Sequence, residues 1–105
     1  MKIHHLVAAA ALFVPAAAFA TGDGAALFKK NNCSACHAPA SKSVGPSLAD
    51  IAAKYKDNKD AQAKLEAKTR SGGAGSFGTM PMPPTAKTIS DGDIKTMVTW
   101  VLSQK

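Results

Sequence analysis

Two cysteines and a histidine lie close together in the chain, and their spacing limits what the remaining residues can build. Cys33, Cys36 and His37 form the run C-x-x-C-H. On a helical turn, residues three and four positions apart share one face, so the three side chains point the same way. The run is the attachment signature of a c-type haem, in which both thiols form thioethers and the imidazole binds the iron. It predicts one covalent haem c on Cys33 and Cys36, with His37 as an axial ligand.

Other uses of a C-x-x-C pair explain this sequence less well. A redox disulfide of the thioredoxin type expects a βαβ context, and no run of this sequence indicates a strand. A zinc site expects four ligands, but the chain has two cysteines and only one histidine after residue 20. Disulfide exchange remains the main alternative to haem attachment.

The first twenty residues have the features of an export signal. Lys2 gives a positive start, residues 6–20 are almost wholly apolar, and Ala18-Phe19-Ala20 fits a small-x-small cleavage site. The apolar run is shorter than the roughly 20 residues of a membrane span; an uncleaved membrane anchor is the alternative. We predict a cleaved signal peptide at 1–20 and one domain at 21–105. The domain is expected in the periplasm, where thiol oxidation can be managed, without membrane insertion.

The predicted mature chain is small and basic. A core of this size rarely supplies more than about 3–5 kcal/mol of stability by itself, so we expect the haem-free chain to be largely unfolded. Without Lys2 the chain has twelve Lys or Arg and seven Asp or Glu, a net charge of +5. The charges form no basic cluster interleaved with aromatic residues, which argues against nucleic-acid binding. Dispersed lysines are most simply a solvated surface. The functional alternative is steering toward an acidic redox partner, with Lys29, Lys30 and Lys42 as candidate docking residues.

Apolar spacing and capping residues predict the first two helices. One covers residues 23–32, with Asp23 as its cap, and runs directly into the C-x-x-C-H turn. The next covers residues 48–55, with Ser47 as its cap.

Two more helices are predicted in the second half of the chain. A mostly polar helix covers residues 61–70, with Asp60 as its cap. The last opens with Ser90-x-x-Asp93, in the style of a capping box. Its apolar stripe consists of Ile94, Met97, Val98, Val101 and Leu102. We expect this stripe to pack against the first helix.

The loop at residues 38–47 is expected to support His37. A metal-bound histidine usually donates its other ring N–H to an acceptor, which fixes the tautomer and strengthens the ligand. A backbone carbonyl near Pro46 is the candidate acceptor. The alternative is that Gly45-Pro46 forms only a turn.

A sixth protein ligand for the iron cannot be a histidine, because His37 is the only histidine of the predicted mature chain. A methionine thioether is the natural choice, and it raises the reduction potential. Met82 has a proline on each side in Met80-Pro81-Met82-Pro83-Pro84, and prolines restrict the backbone, so Met82 is our choice. Met80 lies two residues away and would face the same side of an extended segment, which makes it the competitor. Met97 has the spacing of a core residue.

The glycine-rich residues 71–79 precede this methionine run. They lack the Lys-Ser/Thr ending of a phosphate-binding loop. Glycines allow a close approach to a flat cofactor, and we expect Phe77 at the haem edge. Tyr55 is expected to cover an edge of the core, with a hydrogen bond to a haem propionate as the alternative.

These motifs together resemble the short class I cytochromes c of bacteria, periplasmic electron carriers that serve nitrite reductases or terminal oxidases. The resemblance covers essentially the whole mature chain. It rests on Phe28-Lys29 before the C-x-x-C-H run, on Val44-Gly45-Pro46, on Pro81-Met82-Pro83-Pro84 and on residues 100–105.

The resemblance implies an all-α, small cytochrome c fold with four to five helices around one low-spin haem. It also implies His37 and Met82 as axial ligands, with the Pro46 carbonyl supporting His37. Where the family often has a tryptophan that donates to a propionate, this chain has Phe77, which carries no donor.

We therefore expect a monohaem electron carrier and not an enzyme. Electrons would pass through an exposed haem edge near Cys33 and Cys36, during weak and transient docking of a monomer. The expected donor is a quinol-oxidising complex, and the expected acceptor is a nitrite reductase or terminal oxidase. The rival hypothesis is an enzyme or gas sensor with an open iron site, against which the Met-Pro-Pro run argues.

Overall fold

The computed structural model describes residues 17–105, with side chains from residue 23 onward. The regular elements are α1 (Ala17–Lys30), a 3-10 turn (Cys33–Ala35), α2 (Leu48–Tyr55), α3 (Ala61–Ser71) and α4 (Asp91–Leu102). Within this part of the chain the only β-type pairing is an isolated antiparallel bridge. The prediction of an all-α chain with four to five helices is confirmed.

The predicted export signal, residues 1–20, lies outside the described residues except for the backbone of its last four. Among the helices that are described, none is both long enough and apolar enough to cross a bilayer.

The first and last helices pack closely together, as predicted. Gly24 lies at their closest approach, where an added Cβ would stand 2.3 Å from Cβ of Trp100 and 2.9 Å from the Thr96 carbonyl oxygen. One turn later the Phe28 ring packs against Trp100 with centroids 5.2 Å apart and planes tilted by 52°. The missing side chain at Gly24 therefore lets the two backbones meet.

The core lies between α4, α1 and α2. Its buried members are Phe28, Leu48, Ile51, Ile94, Met97, Val98 and Val101. Four of the five residues in the predicted α4 stripe are in this set, and Leu102 packs on its edge. Met97 is only 2% exposed, so its prediction as a core residue is confirmed. Tyr55 also packs on the edge of the core, as expected.

Two of the four predicted helix caps are confirmed. The Ser47 hydroxyl accepts from the Asp50 N–H at 3.1 Å, and the Ser90 hydroxyl accepts from the Asp93 N–H at 3.1 Å. The prediction for Asp60 was wrong, since its side chain makes no capping bond. Its φ of −96° and ψ of 7° depart from the extended backbone that an N-cap needs.

The predicted bounds of the first helix were also wrong. The helix begins at Ala17, so Asp23 lies inside it and not at its cap. Alanine-rich sequence before Asp23 extends the helix, because alanine has the highest helix propensity. The helix ends at Lys30, and Asn32, with φ of 61°, separates it from the 3-10 turn.

Candidate haem site

The C-x-x-C-H run forms the predicted helical turn. The Cys33 carbonyl oxygen accepts from the Cys36 N–H at 3.2 Å and from the His37 N–H at 3.0 Å. Both thiols are partly buried and unpaired. Burial raises the pKa of the Cys33 thiol, and the nearby Cys36 adds to that shift.

His37 is held through its Nδ1 atom. Nδ1 lies 2.8 Å from the Pro46 carbonyl oxygen, which is the predicted acceptor. A carbonyl can only accept, so the tautomer assigned from this contact carries its proton on Nδ1. The lone pair of a neutral imidazole is then on Nε2, which is the atom left to bind a metal.

Gly45 supports the same ring by leaving space for it. A Cβ on Gly45 would lie 2.7 Å from Cε1 and 3.0 Å from Nδ1 of His37. The Gly45 N–H donates to the Cys36 carbonyl at 2.8 Å. Gly45-Pro46 is therefore more than a turn, since both residues position the imidazole. Sequence reasoning found Pro46 and missed the role of Gly45. The signal that could have indicated it is a glycine directly before the residue that supplies the acceptor.

Met82 is tied to the glycine-rich segment. Its backbone N–H and carbonyl each form a 2.9 Å hydrogen bond with the carbonyl and N–H of Gly73. The preceding Gly72 has φ of +67°, and a Cβ there would stand 2.4 Å from the Met82 carbonyl oxygen. Only glycine fits this conformation and this close approach without strain. The glycines thus fix the backbone of Met82, a role that sequence reasoning missed.

The three candidate methionines lie in different surroundings. Met82 is partly buried, whereas Met80 is 66% exposed. Met97 lies in the core, where its sulfur accepts a weak 3.8 Å contact from Nδ2 of Asn31.

One cavity brings the predicted site residues together. Its volume is about 760 Å³, and Cys33, Cys36, His37 and Met82 all line it, together with Met80. Six core side chains form much of its apolar wall: Phe28, Leu48, Ile51, Met97, Val98 and Val101. Cofactor sites usually have volumes of about 300–1,000 Å³ and mostly apolar linings. Two thiols, an imidazole and a thioether in such a cavity fit a haem, whose iron takes histidine and methionine ligands.

The glycine-rich segment forms part of the cavity rim. Lys54 reaches it from α2, with its Nζ donating to the Ser76 carbonyl and lying 4.4 Å from the centroid of the Phe77 ring. Lys68 donates to the Ala74 carbonyl at 3.2 Å. Phe77 lines the cavity and is partly exposed.

The three candidate docking lysines are all exposed. Lys29 and Lys30 end α1 just before the haem turn. Lys42 lines the cavity.

A small helical chain whose histidine, thiols and methionine meet in one apolar cavity belongs to the class of haem-binding electron carriers. Residues 22–105 match the family model for cytochrome c. The chain therefore belongs to the cytochrome c family.

Relatives and solved structures agree with this assignment. Cytochrome c-552 of Nitrosomonas europaea is 48% identical over 98 residues, covering 93% of this chain and 91% of the relative. Cytochrome c-551 of Pseudomonas aeruginosa is 45% identical over 83 residues, covering 79% of this chain and 78% of the relative.

The fold is also shared. The crystal structure of Nitrosomonas europaea cytochrome c552 superposes with a TM-score of 0.72 at 49% identity, over 77% of this chain and 99% of that one. The class 1 cytochrome MtoD of Sideroxydans lithotrophicus gives a TM-score of 0.68 at 32% identity, over 78% and 92% of the two chains.

Membership confirms several predictions from the sequence. The family carries covalently attached haem c, and its members named here are small electron carriers and not enzymes. The small cytochrome c fold is confirmed by the superposition. An electron carrier works between redox proteins, so partners of that kind follow from the family.

Proposed function

We propose that this chain is a periplasmic electron carrier whose haem is attached through Cys33 and Cys36 and whose iron is bound by His37 and Met82. The observation that carries the proposal is that all four residues line the same mostly apolar cavity. When bound, haem supplies a reversible one-electron change at its iron.

Each residue has a distinct part in this proposal. The Pro46 carbonyl orients His37 and makes its imidazole a better ligand, because it accepts the Nδ1 proton. Met82 supplies a neutral thioether, which raises the reduction potential. If His37 and Met82 both hold the iron, a substrate would find no open position on it, which favours electron transfer over catalysis.

Met82 is preferred over Met80 because of its surroundings. The two backbone hydrogen bonds to Gly73 fix Met82, and its side chain is partly buried. Met80 is mostly exposed, so binding iron would require more of its side chain to become ordered.

The matches support removal of residues 1–20. The family match begins at residue 22, next to the predicted cleavage site. The match to the crystallised Nitrosomonas europaea protein covers 99% of that protein but only 77% of this chain. Mass spectrometry of the exported protein should give a chain that begins at Thr21. A mature protein that keeps residues 1–20 would contradict the cleavage and support a membrane anchor.

The proposed partners are a quinol-oxidising complex as donor and a nitrite reductase or terminal oxidase as acceptor. The carrier itself is proposed to work as a monomer. Reduction and reoxidation by purified complexes of each type test these assignments, and failure of a complex to exchange electrons would remove it from the set.

The ligand set is tested by absorption spectra of the haem-loaded protein, of Met82→Leu and of Met80→Leu as the matched control. Methionine ligation of oxidised haem gives a sulfur-to-iron charge-transfer band in the far red. We expect the band in the wild-type protein and in Met80→Leu, and its loss in Met82→Leu.

Two other outcomes would change the proposal. Loss of the band only in Met80→Leu would show that Met80, and not Met82, binds the iron. A wild-type protein without the band that readily takes up carbon monoxide or cyanide would have an open iron site, and an enzyme or sensor function would replace electron transfer.

A further inference from the structure

The segment that follows Met82 depends on α3 for its position. We call residues 83–90 the Met82 linker. It has no helix or strand, and its two prolines cannot donate hydrogen bonds. In its middle, the Thr85 N–H donates to the Thr69 carbonyl at 3.2 Å, and the Thr85 hydroxyl donates to the same oxygen at 2.6 Å. The end of α3 therefore holds the linker shortly after Met82.

Arg70 holds the far half of the same linker. Its Nη1 donates to the Ala86 carbonyl at 3.0 Å, and its Nη2 donates to the Ile89 carbonyl at 2.7 Å. Nη2 also contacts the Asp91 carboxylate at 2.7 Å. Arg70 is the only arginine of the chain. A guanidinium can reach two separate carbonyls at once because its donors are held in a rigid fork, which a lysine lacks.

The hydrogen bonds from Arg70 to the two carbonyls do more to hold the linker than its ion pair with Asp91 does. The Asp91 side chain is 95% exposed, and that of Arg70 is 31% exposed. Exposed ion pairs contribute little because water and salt screen them. The carbonyls belong to a linker that forms no regular structure of its own, so their bonds to Arg70 restrict where that linker can go.

We propose that Arg70 is a positioning residue for Met82. It keeps the linker against α3, so that Met82 stays in the wall of the cavity. This inference rests on the proposed ligation by Met82. A binding group has to be held within about 0.5 Å of its productive position by its support. Gly73 supports Met82 from one side, while Thr69 and Arg70 support the segment that leaves it on the other.

The test is an imidazole titration of the oxidised, haem-loaded protein, because imidazole competes with Met82 for the iron. We expect Arg70→Ala to raise the apparent affinity for imidazole about tenfold or more, which is the effect of losing hydrogen bonds made by a charged group. The far-red band should weaken in the same variant. Arg70→Lys keeps the charge without the fork and should give an intermediate affinity.

Gln62→Ala is the matched control. Gln62 also lies on α3 and ties it to α4 through a 3.2 Å hydrogen bond from its Nε2 to the Lys95 carbonyl. The side-chain hydrogen bonding of Gln62 in the described part of the chain does not involve the Met82 linker. We expect wild-type imidazole affinity in this variant. An equal rise in Gln62→Ala and Arg70→Ala would show a general loosening of α3 and would overturn the proposal.

A double variant separates an effect through Met82 from any other effect. In Met82→Leu the iron position is already open, so adding Arg70→Ala should leave the imidazole affinity unchanged. A rise of the same size in that background would overturn the proposal, as would wild-type behaviour of the single Arg70→Ala variant.

The two proposals fail in different ways. A wild-type protein without the far-red band overturns the ligation by Met82, and the role of Arg70 with it. A wild-type band that Met82→Leu abolishes and Arg70→Ala leaves intact, with unchanged imidazole affinity, overturns the role of Arg70 alone.

Discussion

The α1–α4 pair and the methionine segment, residues 71–90, are held in place by different forces. The helix pair buries large apolar side chains, among them Phe28, Ile94, Met97 and Val98. The methionine segment leaves Met80 and part of Phe77 exposed. Gly73 pairs with Met82 inside the segment, and hydrogen bonds from Thr85 and from the Arg70 side chain fix the segment to α3.

This difference separates stability from ligand placement. Burying one large apolar side chain stabilises a fold by about 1.5–3 kcal/mol. This stabilisation is non-directional, so it places little constraint on the orientation of the side chain. A single hydrogen bond contributes about 0.5–1.5 kcal/mol, but it fixes a direction. Damage to the helix pair should therefore unfold the protein, and damage to the methionine segment should change the iron ligand first.

Removing the haem should have the largest effect, because the cofactor covers both regions. Six of the seven core side chains also line the cavity that the haem would fill. A core of this size rarely supplies more than about 3–5 kcal/mol by itself, so the loss of a cofactor packed on it should leave too little stability to hold the fold. We expect Cys33→Ala/Cys36→Ala, made without haem, to be largely unfolded by circular dichroism. A native-like helical spectrum with a cooperative melt would contradict this.

Filling the space at Gly24 should break the helix pair. A Cβ there would lie 2.3 Å from Trp100 Cβ, so Gly24→Ala forces the backbones apart. We expect a loss of about 1–3 kcal/mol in the free energy of unfolding, measured by denaturant titration of the haem-loaded protein.

Gly92→Ala is the matched change in α4, where the nearest atom to an added Cβ is the Ser90 hydroxyl at 3.8 Å. It should be neutral or stabilising by up to about 1 kcal/mol, since alanine favours a helix. Equal stability of the two variants would mean that close approach at Gly24 is not what joins the helices.

Changing Gly72 should disturb the iron ligand more than the fold. A Cβ there would meet the Met82 carbonyl oxygen at 2.4 Å, so Gly72→Ala displaces the Met82 backbone. We expect the far-red band to weaken or vanish while the helical circular dichroism persists.

Gly75→Ala provides the control for backbone strain alone. Gly75 also has positive φ, at +109°, but nothing lies within 4 Å of an added Cβ. Its strain should cost about 1–2 kcal/mol and leave the band intact. Loss of the band in both variants would point to loop strain, and not to the contact with Met82, as the cause.

Salt should have the smallest effect, because it acts on neither region's packing. If lysines such as Lys29, Lys30 and Lys42 steer an acidic partner, the rate of electron transfer should fall several-fold as salt rises. Most of the fall is expected before about 0.15 M, where the screening length is about 8 Å. Reduction by an uncharged small molecule serves as the control. A flat profile with the protein partner would dismiss steering.

The sequence by itself determined the features that depend on neighbours along the chain. The C-x-x-C-H turn, the caps at Ser47 and Ser90 and the stripe of α4 follow from spacing, because a helix places residues three and four apart on one face. The same local rules failed at Asp23 and Asp60, since a capping residue type does not by itself set the backbone angles that a cap requires.

Only the tertiary structure decided which distant residues meet. Four contacts could not be predicted from periodic patterns in the sequence. They are the close approach of Gly24 to Trp100, the support of His37 by Gly45, the pairing of Gly73 with Met82 and the hydrogen bond from Arg70 to Ile89. Met80 and Met82 have similar proline-rich surroundings in the chain, and the structure separates them by burial. Such contacts depend on how helices and loops pack, which local propensity does not encode.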